Sequence, residues 1–197
     1  MLVFGGVLTL ALAGCAGCTS GTGGQAFPNE PGLASVTQGA KASALPDRPA
    51  ELTLRGVDPC TLITAPQLDQ LKINSQPRKA AEEIDGPTCV LDSDAAEPFH
   101  AYHVRAVSAD VEEWFTGKRR KNSMTTEPKA VGGFPAITSY RGSGTPADCE
   151  TLIGVGKGQT LVAQAFTVTP GAFTMPQLCE MSARAAEMAL QTLKARN

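Results

Sequence analysis

Apolar and polar residues alternate along several short stretches of the chain, and this alternation predicts β-strands. The clearest case is 99–107, where apolar residues hold every second position from Tyr102 to Ala106. A strand of this kind has one face toward a core and the other toward solvent. Shorter runs rich in apolar residues predict further strands over 88–92 and 136–141.

Three other stretches have the pattern of helices. Thr64 and Gln67 form a T-x-x-Q capping box at the start of a predicted helix over 64–72. A second helix is predicted from Ser108 to the glycine at 117. The strongest helical pattern is 176–195, whose apolar stripe consists of Leu178, Met181, Ala185, Met188 and Thr192.

The order of these elements predicts an α+β fold. Residues 149–155 and 160–168 flank a glycine-containing turn at 156–159, so we expect them to form a hairpin. Strands joined by hairpins, with helices at both ends, favour an antiparallel β-sheet packed against helices on one face, with a long C-terminal helix. We assign this single domain to 52–197, with a flexible loop at 122–129.

The first part of the chain has a different composition. Residues 2–12 are an apolar run, followed by the tetrapeptide Leu12-Ala13-Gly14-Cys15. The run is too short to span a bilayer as a stable helix and matches the core of an export signal. Small residues before a cysteine resemble the lipobox of bacterial lipoproteins. We therefore predict a signal peptide over 1–14 and lipidation of Cys15 by a diacylglyceryl group and a further acyl chain such as palmitate.

The predicted signal has one unusual feature, since 1–12 contains no lysine or arginine. Export signals begin with a positive region, so we expect the true start codon to lie upstream. Cys18 is a poorer cleavage site than Cys15, because Cys15 would then stand where leucine is expected. Residues 15–51 are rich in Gly, Ser, Thr, Ala and Pro without apolar periodicity, which predicts a disordered tether.

Four cysteines lie inside the predicted domain: Cys60, Cys89, Cys149 and Cys179. An exported domain is exposed to oxidising conditions, so an even number of cysteines predicts disulfides. Four thiols allow three pairings. We favour Cys60–Cys89 and Cys149–Cys179, because each closes a modest loop between neighbouring elements. A structural zinc site would need close pairs such as C-x-x-C, which the domain lacks.

Three segments of the domain resemble one known family. Asp58-Pro59-Cys60-Thr61-Leu62-Ile63-Thr64 is similar to its D-P-C-x-L-L-T opening, Asp148-Cys149-Glu150 leads a hairpin with a Gly-rich turn, and Cys179-Glu180 begins a closing helix. The family is the actinobacterial lipoproteins called domain of unknown function 3558 (DUF3558). The resemblance implies a surface-anchored α+β domain and supplies no catalytic residues. One departure is Val90-Leu91 after Cys89, where the family often has x-Trp.

Several short patterns suggest catalysis, but each lacks a residue that the chemistry requires. Residues 154–158 have the glycines and lysine of a phosphate loop, but no Ser or Thr follows the lysine and no helix follows the loop. The Gly-Ser-Gly at 142–144 lacks the spacing of a nucleophile elbow. His100 and His103 are the two histidines, and their spacing directs them to opposite faces of a strand. We expect both at the surface or the sheet edge, and we expect no catalytic residue, metal or cofactor.

One segment combines aromatic residues with concentrated positive charge. It is the candidate binding patch, which consists of Trp114, Phe115, Lys118, Arg119, Arg120 and Lys121. Basic residues of this kind can contact anionic lipid headgroups, a wall polymer or an acidic protein face. A structural alternative is that the aromatic residues complete the core and the basic run is a solvated loop.

Composition and anchor together favour a non-catalytic role. The formal net charge is -2, which gives no general reason to expect nucleic acid binding. We expect a lipid-anchored protein at the outer face of the plasma membrane that binds an envelope protein, lipid or wall polymer. The alternatives are a carrier of a small apolar ligand, in a cavity between the sheet and the C-terminal helix, and an enzyme.

Overall fold

The computed structural model describes residues 45–197, and a seven-stranded sheet organises this part of the chain. Its strands are β1 (Arg78–Lys79), β2 (Thr88–Ser93), β3 (His100–Val107), β4 (Met124–Val131), β5 (Phe134–Arg141), β6 (Asp148–Gly156) and β7 (Gln159–Thr167). The helices are α1 (Ala65–Gln70), α2 (Glu112–Phe115) and α3 (Met175–Lys194), and a 3-10 turn covers Pro59–Thr61.

The strand order across the sheet is β1-β2-β3-β7-β6-β5-β4, and every neighbouring pair is antiparallel. The predicted α+β class is therefore confirmed, including the long C-terminal helix. The β6–β7 hairpin is also confirmed, with Gly156 paired to Gln159 across a turn of two residues. The second turn residue is Gly158, whose φ of 64° is a left-handed conformation that glycine adopts without strain.

The main core lies between α3 and one face of the sheet. That face presents Tyr102, Val104, Ile153 and Leu161, all nearly inaccessible to solvent. The helix contributes a stripe of buried residues that includes Ala185, Ala186, Ala189, Leu190 and Leu193. The stripe combines small alanines with Leu190 and Leu193, which are its larger fully buried side chains.

The opposite face of the sheet is covered at one end. Ile137, Leu152 and Val162 form a second buried cluster there, against which Trp114 and Phe115 of the α2 turn are packed. Gly154 permits this approach, because a Cβ at that position would lie 2.7 Å from Val111 Cγ1. The structure thus adds a small helical cap on the face that α3 does not cover.

Both predicted disulfides are confirmed. Cys60 in the 3-10 turn is bonded to Cys89 of β2, with Cα atoms 4.9 Å apart. Cys149 of β6 is bonded to Cys179 of α3, with Cα atoms 5.0 Å apart. Each bond attaches a helical segment to a strand on the same side of the sheet.

Two local predictions were wrong. Most of the predicted loop at 122–129 is strand β4, and the predicted helix from Ser108 is reduced to the single turn of α2. β4 is an edge strand with much of its surface exposed and a proline within it, so it lacks the alternation that identifies a half-buried strand. The two-residue strand β1 was not predicted either, because its residues are both charged and exposed.

The described range starts within the predicted tether. Leu45 is 5 % exposed and belongs to the second buried cluster. The Leu52 backbone N–H donates to the Val155 carbonyl at 2.8 Å, which attaches the beginning of the domain to β6. Among residues 45–197, no helix is long and apolar enough to cross a bilayer.

Candidate functional site

The aromatic residues of the candidate binding patch serve the second core cluster. Trp114 and Phe115 are partly buried and pack against it. The α2 turn begins with Glu112 and Glu113, whose negative charges favour a helix N-terminus. The aromatic part of the patch therefore has a structural role in the fold.

The basic residues at 118–121, here called the basic segment, differ in their contacts. The Arg119 guanidinium lies 4.9 Å from the centre of the Trp114 ring, and its Nη1 is 2.7 Å from Asp85 Oδ1. Its Nε is also 3.4 Å from Glu113 Oε2. Arg119 is therefore paired and positioned, and it holds the segment against α2.

The remaining cations of the basic segment face solvent. Lys118 is 3.7 Å from Glu113 Oε2, but its side chain is 81 % exposed, so this ion pair is weak. Arg120 and Lys121 are exposed, and neither forms an ion pair with another residue of 45–197. The charge that is free to meet an anionic surface is thus carried by Lys118, Arg120 and Lys121.

A groove beside the first half of α3 brings together residues that we did not predict as a site. It has a volume of about 360 Å³, and we call it the Tyr102 groove. Its walls come from the end of α1, from β3 and from α3. The residues that define it are Lys72, His100, Tyr102, Phe173, Met181 and Arg184.

Three aromatic rings form the base of this groove. The His100 ring centre lies 5.6 Å from that of Tyr102 and 5.9 Å from that of Phe173, in edge-to-face arrangements. His100 is 8 % exposed and lies between carbonyl oxygens on both sides, with Nε2 at 3.0 Å from that of Leu71 and Nδ1 at 3.3 Å from that of Pro98. The imidazole is therefore fixed in position. The expectation that both histidines lie at the surface or sheet edge is wrong for His100, which is buried on an inner strand, and His103 is half-buried on the same strand.

Tyr102 contributes a polar atom to an otherwise apolar wall. The residue is 2 % exposed, and its hydroxyl makes no hydrogen bond to any other residue of 45–197 but is not fully buried, so it is accessible from the groove. Burial raises the pKa of Tyr102 to about 12, although the nearby charge of Arg184 opposes the increase. The hydroxyl therefore stays protonated at physiological pH and is available as a donor.

The charged rim of the Tyr102 groove contains two cations. Lys72 and Arg184 are both exposed, and neither forms an ion pair within the described residues. Glu180 also lines the groove, so the rim has one more positive than negative charge. Lys72 has a φ of 60°, a left-handed conformation directly after the C-cap of α1.

Two further grooves each share at least one residue with the Tyr102 groove. One of about 570 Å³ shares Lys72, His100 and Phe173 with the Tyr102 groove and extends along the β2–β3 connection. The other, of about 470 Å³, lies on the opposite flank of α3 and includes Lys129, Tyr140 and Cys179. Burial lowers the pKa of Lys129, and Glu127 partly offsets this effect.

The uncovered face of the sheet carries a polar network rather than a cleft. Arg105 Nη2 donates to Glu150 Oε1, and both side chains are largely buried. Arg105 also donates to Gln164, which in turn donates to Asp148 at 2.7 Å. These groups neutralise and orient one another, as structural ion pairs do.

The two histidines lie on opposite faces of β3, as their spacing predicts. His103 is on the uncovered face, with its ring centre 4.5 Å from that of Phe166. Burial lowers the pKa of His103, and the charge of Arg105 lowers it further. Within 45–197, no group of three or more His, Cys, Asp or Glu residues is arranged to hold a metal ion.

The sequence contained only part of the information about the Tyr102 groove. Alternation along β3 places His100 and Tyr102 on one face, so their proximity follows from their spacing. Phe173 and Arg184 reach the groove through the position of α3, for which the sequence has no local signal. The predicted lipidation site Cys15 and the neighbouring Cys18 lie outside the described residues.

Comparisons with known proteins give a family and no activity. No characterised protein and no solved structure matched the chain. The family model described as protein of unknown function (DUF3558) matches residues 10–192, which is most of the chain. This chain therefore belongs to the DUF3558 family.

Proposed function

We propose that this protein is a lipid-anchored, non-catalytic binding or accessory module at the outer face of the plasma membrane. The observation that carries the proposal is the pair of disulfides, Cys60–Cys89 and Cys149–Cys179. Disulfides of this kind persist in oxidising compartments and are rare in the cytosol. They agree with the lipobox that ends at Cys15.

The arrangement of ionisable groups supports a binding role over catalysis. His100 is held between two carbonyl oxygens, and Arg105 and Glu150 are bonded to each other. General acid–base catalysis needs a titratable group that is free to exchange a proton with a substrate. We therefore assign these groups to the stability of the fold.

Two surfaces are suited to a partner. The exposed residues Lys118, Arg120 and Lys121 present positive charge to an anionic lipid, a wall polymer or an acidic protein face. The Tyr102 groove is concave and of the size that small molecules occupy. The carrier alternative is less well supported, because residues 185–193 of α3 fill the space against the sheet and the groove beside the first half has charged residues on its rim, which does not suit a purely apolar ligand.

The anchor is tested by a pair of cysteine variants. The chain is expressed from its native locus with a palmitate analogue, and Cys15→Ser is compared with Cys18→Ser. We expect label and membrane association in the wild type and in Cys18→Ser, and no label in Cys15→Ser. Label that persists in Cys15→Ser, or an unmodified amino terminus in the wild type by mass spectrometry, contradicts the proposal.

The binding surface is tested by crosslinking in intact cells. The variant Lys118→Ser/Arg120→Ser/Lys121→Ser leaves Arg119 in place, because that residue stabilises the segment. A matched control changes three exposed cations elsewhere, Arg55→Ser/Arg141→Ser/Lys157→Ser. We expect the first variant, and not the control, to lose captured partners. An identical set of partners from both variants excludes the basic segment as the binding surface.

A further inference from the structure

We propose that the Tyr102 groove binds a small ligand in which an oxyanion, either a carboxylate or a phosphate, is attached to an apolar ring or chain. This inference rests on the proposed binding role and names the class of ligand. Three features of the groove support it: an unpartnered donor, unpaired cations and an aromatic base.

The donor is the Tyr102 hydroxyl. No other residue of 45–197 accepts a hydrogen bond from it, and the oxygen is not fully buried, so it is accessible from the groove. Because the side chain lines the groove, a ligand oxygen in the groove can accept this hydrogen bond. The group remains a donor across the physiological range, since burial raises the pKa of Tyr102 to about 12.

The cations define the charge of the ligand. Arg184 interacts electrostatically with Tyr102, so the guanidinium and the hydroxyl act on the same region of the groove. Lys72 lies on the wall formed by the end of α1. Glu180 offsets one of these positive charges, which leaves an excess of one. A ligand with a single oxyanion complements that excess, whereas a cation would meet two positive side chains.

The aromatic base defines the rest of the ligand. His100, Tyr102 and Phe173 form a continuous set of ring contacts, and Met181 adds a flexible apolar side chain. Ring edges and a thioether favour an apolar or aromatic group over a fully hydrated one. Inorganic phosphate alone would use the donors and leave this surface exposed to water.

The test uses the full chain, purified from membranes in a non-ionic detergent, and four probes: phenyl phosphate, benzoate, phenol and inorganic phosphate. Ligand-observed saturation-transfer NMR and calorimetry measure binding. We expect phenyl phosphate or benzoate to bind at least tenfold more tightly than phenol and inorganic phosphate. The stronger of the two charged aromatic probes identifies which oxyanion the groove prefers.

Two variants assign the binding to the groove. Tyr102→Phe keeps the ring and removes the donor, and Arg184→Gln removes an exposed charge, so neither is expected to unfold the protein. The control is Arg141→Gln, an exposed arginine on strand β5. We expect at least a tenfold loss of affinity in the first two and no change in the control.

The outcomes separate this inference from the proposed function. Equal affinity in Tyr102→Phe, Arg184→Gln and Arg141→Gln overturns the assignment to the groove. Equal binding of phenol and phenyl phosphate, or no binding of either charged aromatic probe, overturns the ligand class. Neither result affects the anchor, which depends on the labelling of Cys15. Conversely, an unlabelled Cys15 would contradict the anchored role while the probe measurements still stand.

Discussion

Residues 185–194 of α3 are attached to the sheet by apolar packing, whereas residues 175–184 are attached by a disulfide and a buried hydrogen bond. The buried residues of the second half are Ala185, Ala186, Met188, Ala189, Leu190 and Leu193. Those of the first half are Leu178 and Ser182. Below the first half, the sheet presents small side chains, including Thr151, Ala163 and Ala165.

In the first half of α3, a disulfide takes over part of the attachment that apolar packing provides in the second half. Leu178 is the one large side chain that the first half buries completely, and the strand residues below this half are small, so apolar packing buries less area here than in the second half. The Cys149–Cys179 bond and the 2.9 Å contact between Thr151 and Ser182 lie at that position. The Tyr102 groove and the groove that contains Lys129, Tyr140 and Cys179 open on the two flanks of the same half. The disulfide and the hydrogen bond therefore attach the helix at the half that has open grooves on both flanks.

Removing the crosslink of the first half is expected to have the largest effect. The bond joins residues separated by 30 positions. Removing a crosslink that closes a loop of that size lowers the free energy of unfolding by about 3.5 kcal/mol. We expect Cys149→Ala/Cys179→Ala to lose this amount in urea unfolding. Hydrogen exchange should increase first in 178–183, before 186–193.

The other disulfide is the matched control for that experiment. Cys60 and Cys89 are separated by 29 positions, so Cys60→Ala/Cys89→Ala should cost a similar free energy. It should leave the exchange of 178–183 unchanged relative to 186–193. If both double variants increase exchange equally along α3, the two halves of the helix are not attached in different ways.

A cavity in the second half of α3 is expected to lower the free energy of unfolding by nearly as much. Leu193 is fully buried, so Leu193→Ala removes apolar contacts and leaves a void, at a cost of about 3 kcal/mol. Glu187→Ala, at an exposed position of the same helix, should change stability by less than about 0.5 kcal/mol. Urea unfolding of both variants measures the difference. If Leu193→Ala lowers the free energy of unfolding no more than Glu187→Ala does, apolar packing is not the main attachment of the second half of α3.

The buried hydrogen bond of the first half is expected to contribute less. Ser182→Ala leaves the Thr151 hydroxyl buried without this partner, which costs about 1–2 kcal/mol. In Thr151→Val/Ser182→Ala both polar groups are absent, so part of the loss should be recovered. A double-mutant cycle in urea measures the coupling. Purely additive losses would show that the two hydroxyls are not coupled.

The first and second halves of α3 also differ in how far the sequence predicts them. Residue spacing predicts that α3 is a helix and leaves three possible cysteine pairings, of which the favoured one is confirmed. The predicted apolar stripe is only partly right, because Leu190 and Leu193 are also buried. The sequence does not show that the first half lies over small residues, because that depends on the register of β6 against β7. β4 was missed for a related reason, since its residues are defined by pairing with β5 at the sheet edge.

The Tyr102 groove was not predicted because its residues come from distant positions. Lys72 lies at the end of α1, Tyr102 on β3 and Arg184 on α3, and only the assembled sheet brings them together. The basic segment was identified because its charges are consecutive. Contact with Asp85, which no sequence pattern indicates, shows that Arg119 in that run is a structural residue.

The smallest effect concerns the flank of the first half opposite the Tyr102 groove. Burial lowers the pKa of Lys129 from its usual value of 10.5, which means that the folded state disfavours the charged form. Stability should therefore rise as the pH increases toward 10.5, where the unfolded chain also loses this proton. Lys129→Met should be slightly more stable than the wild type at about pH 7, and this gain should shrink near pH 10.5.

Lys118→Met is the control, because the Lys118 side chain is 81 % exposed and should gain nothing from neutralisation. Thermal unfolding at both pH values separates two causes of the gain in Lys129→Met. A gain that is equal at both pH values would come from apolar contact alone, and the groove beside Cys179 would then be as hydrated as open solvent. A gain that shrinks as the pH rises instead shows that the first half of α3 shields Lys129 from water, although this half buries fewer apolar side chains than the second half.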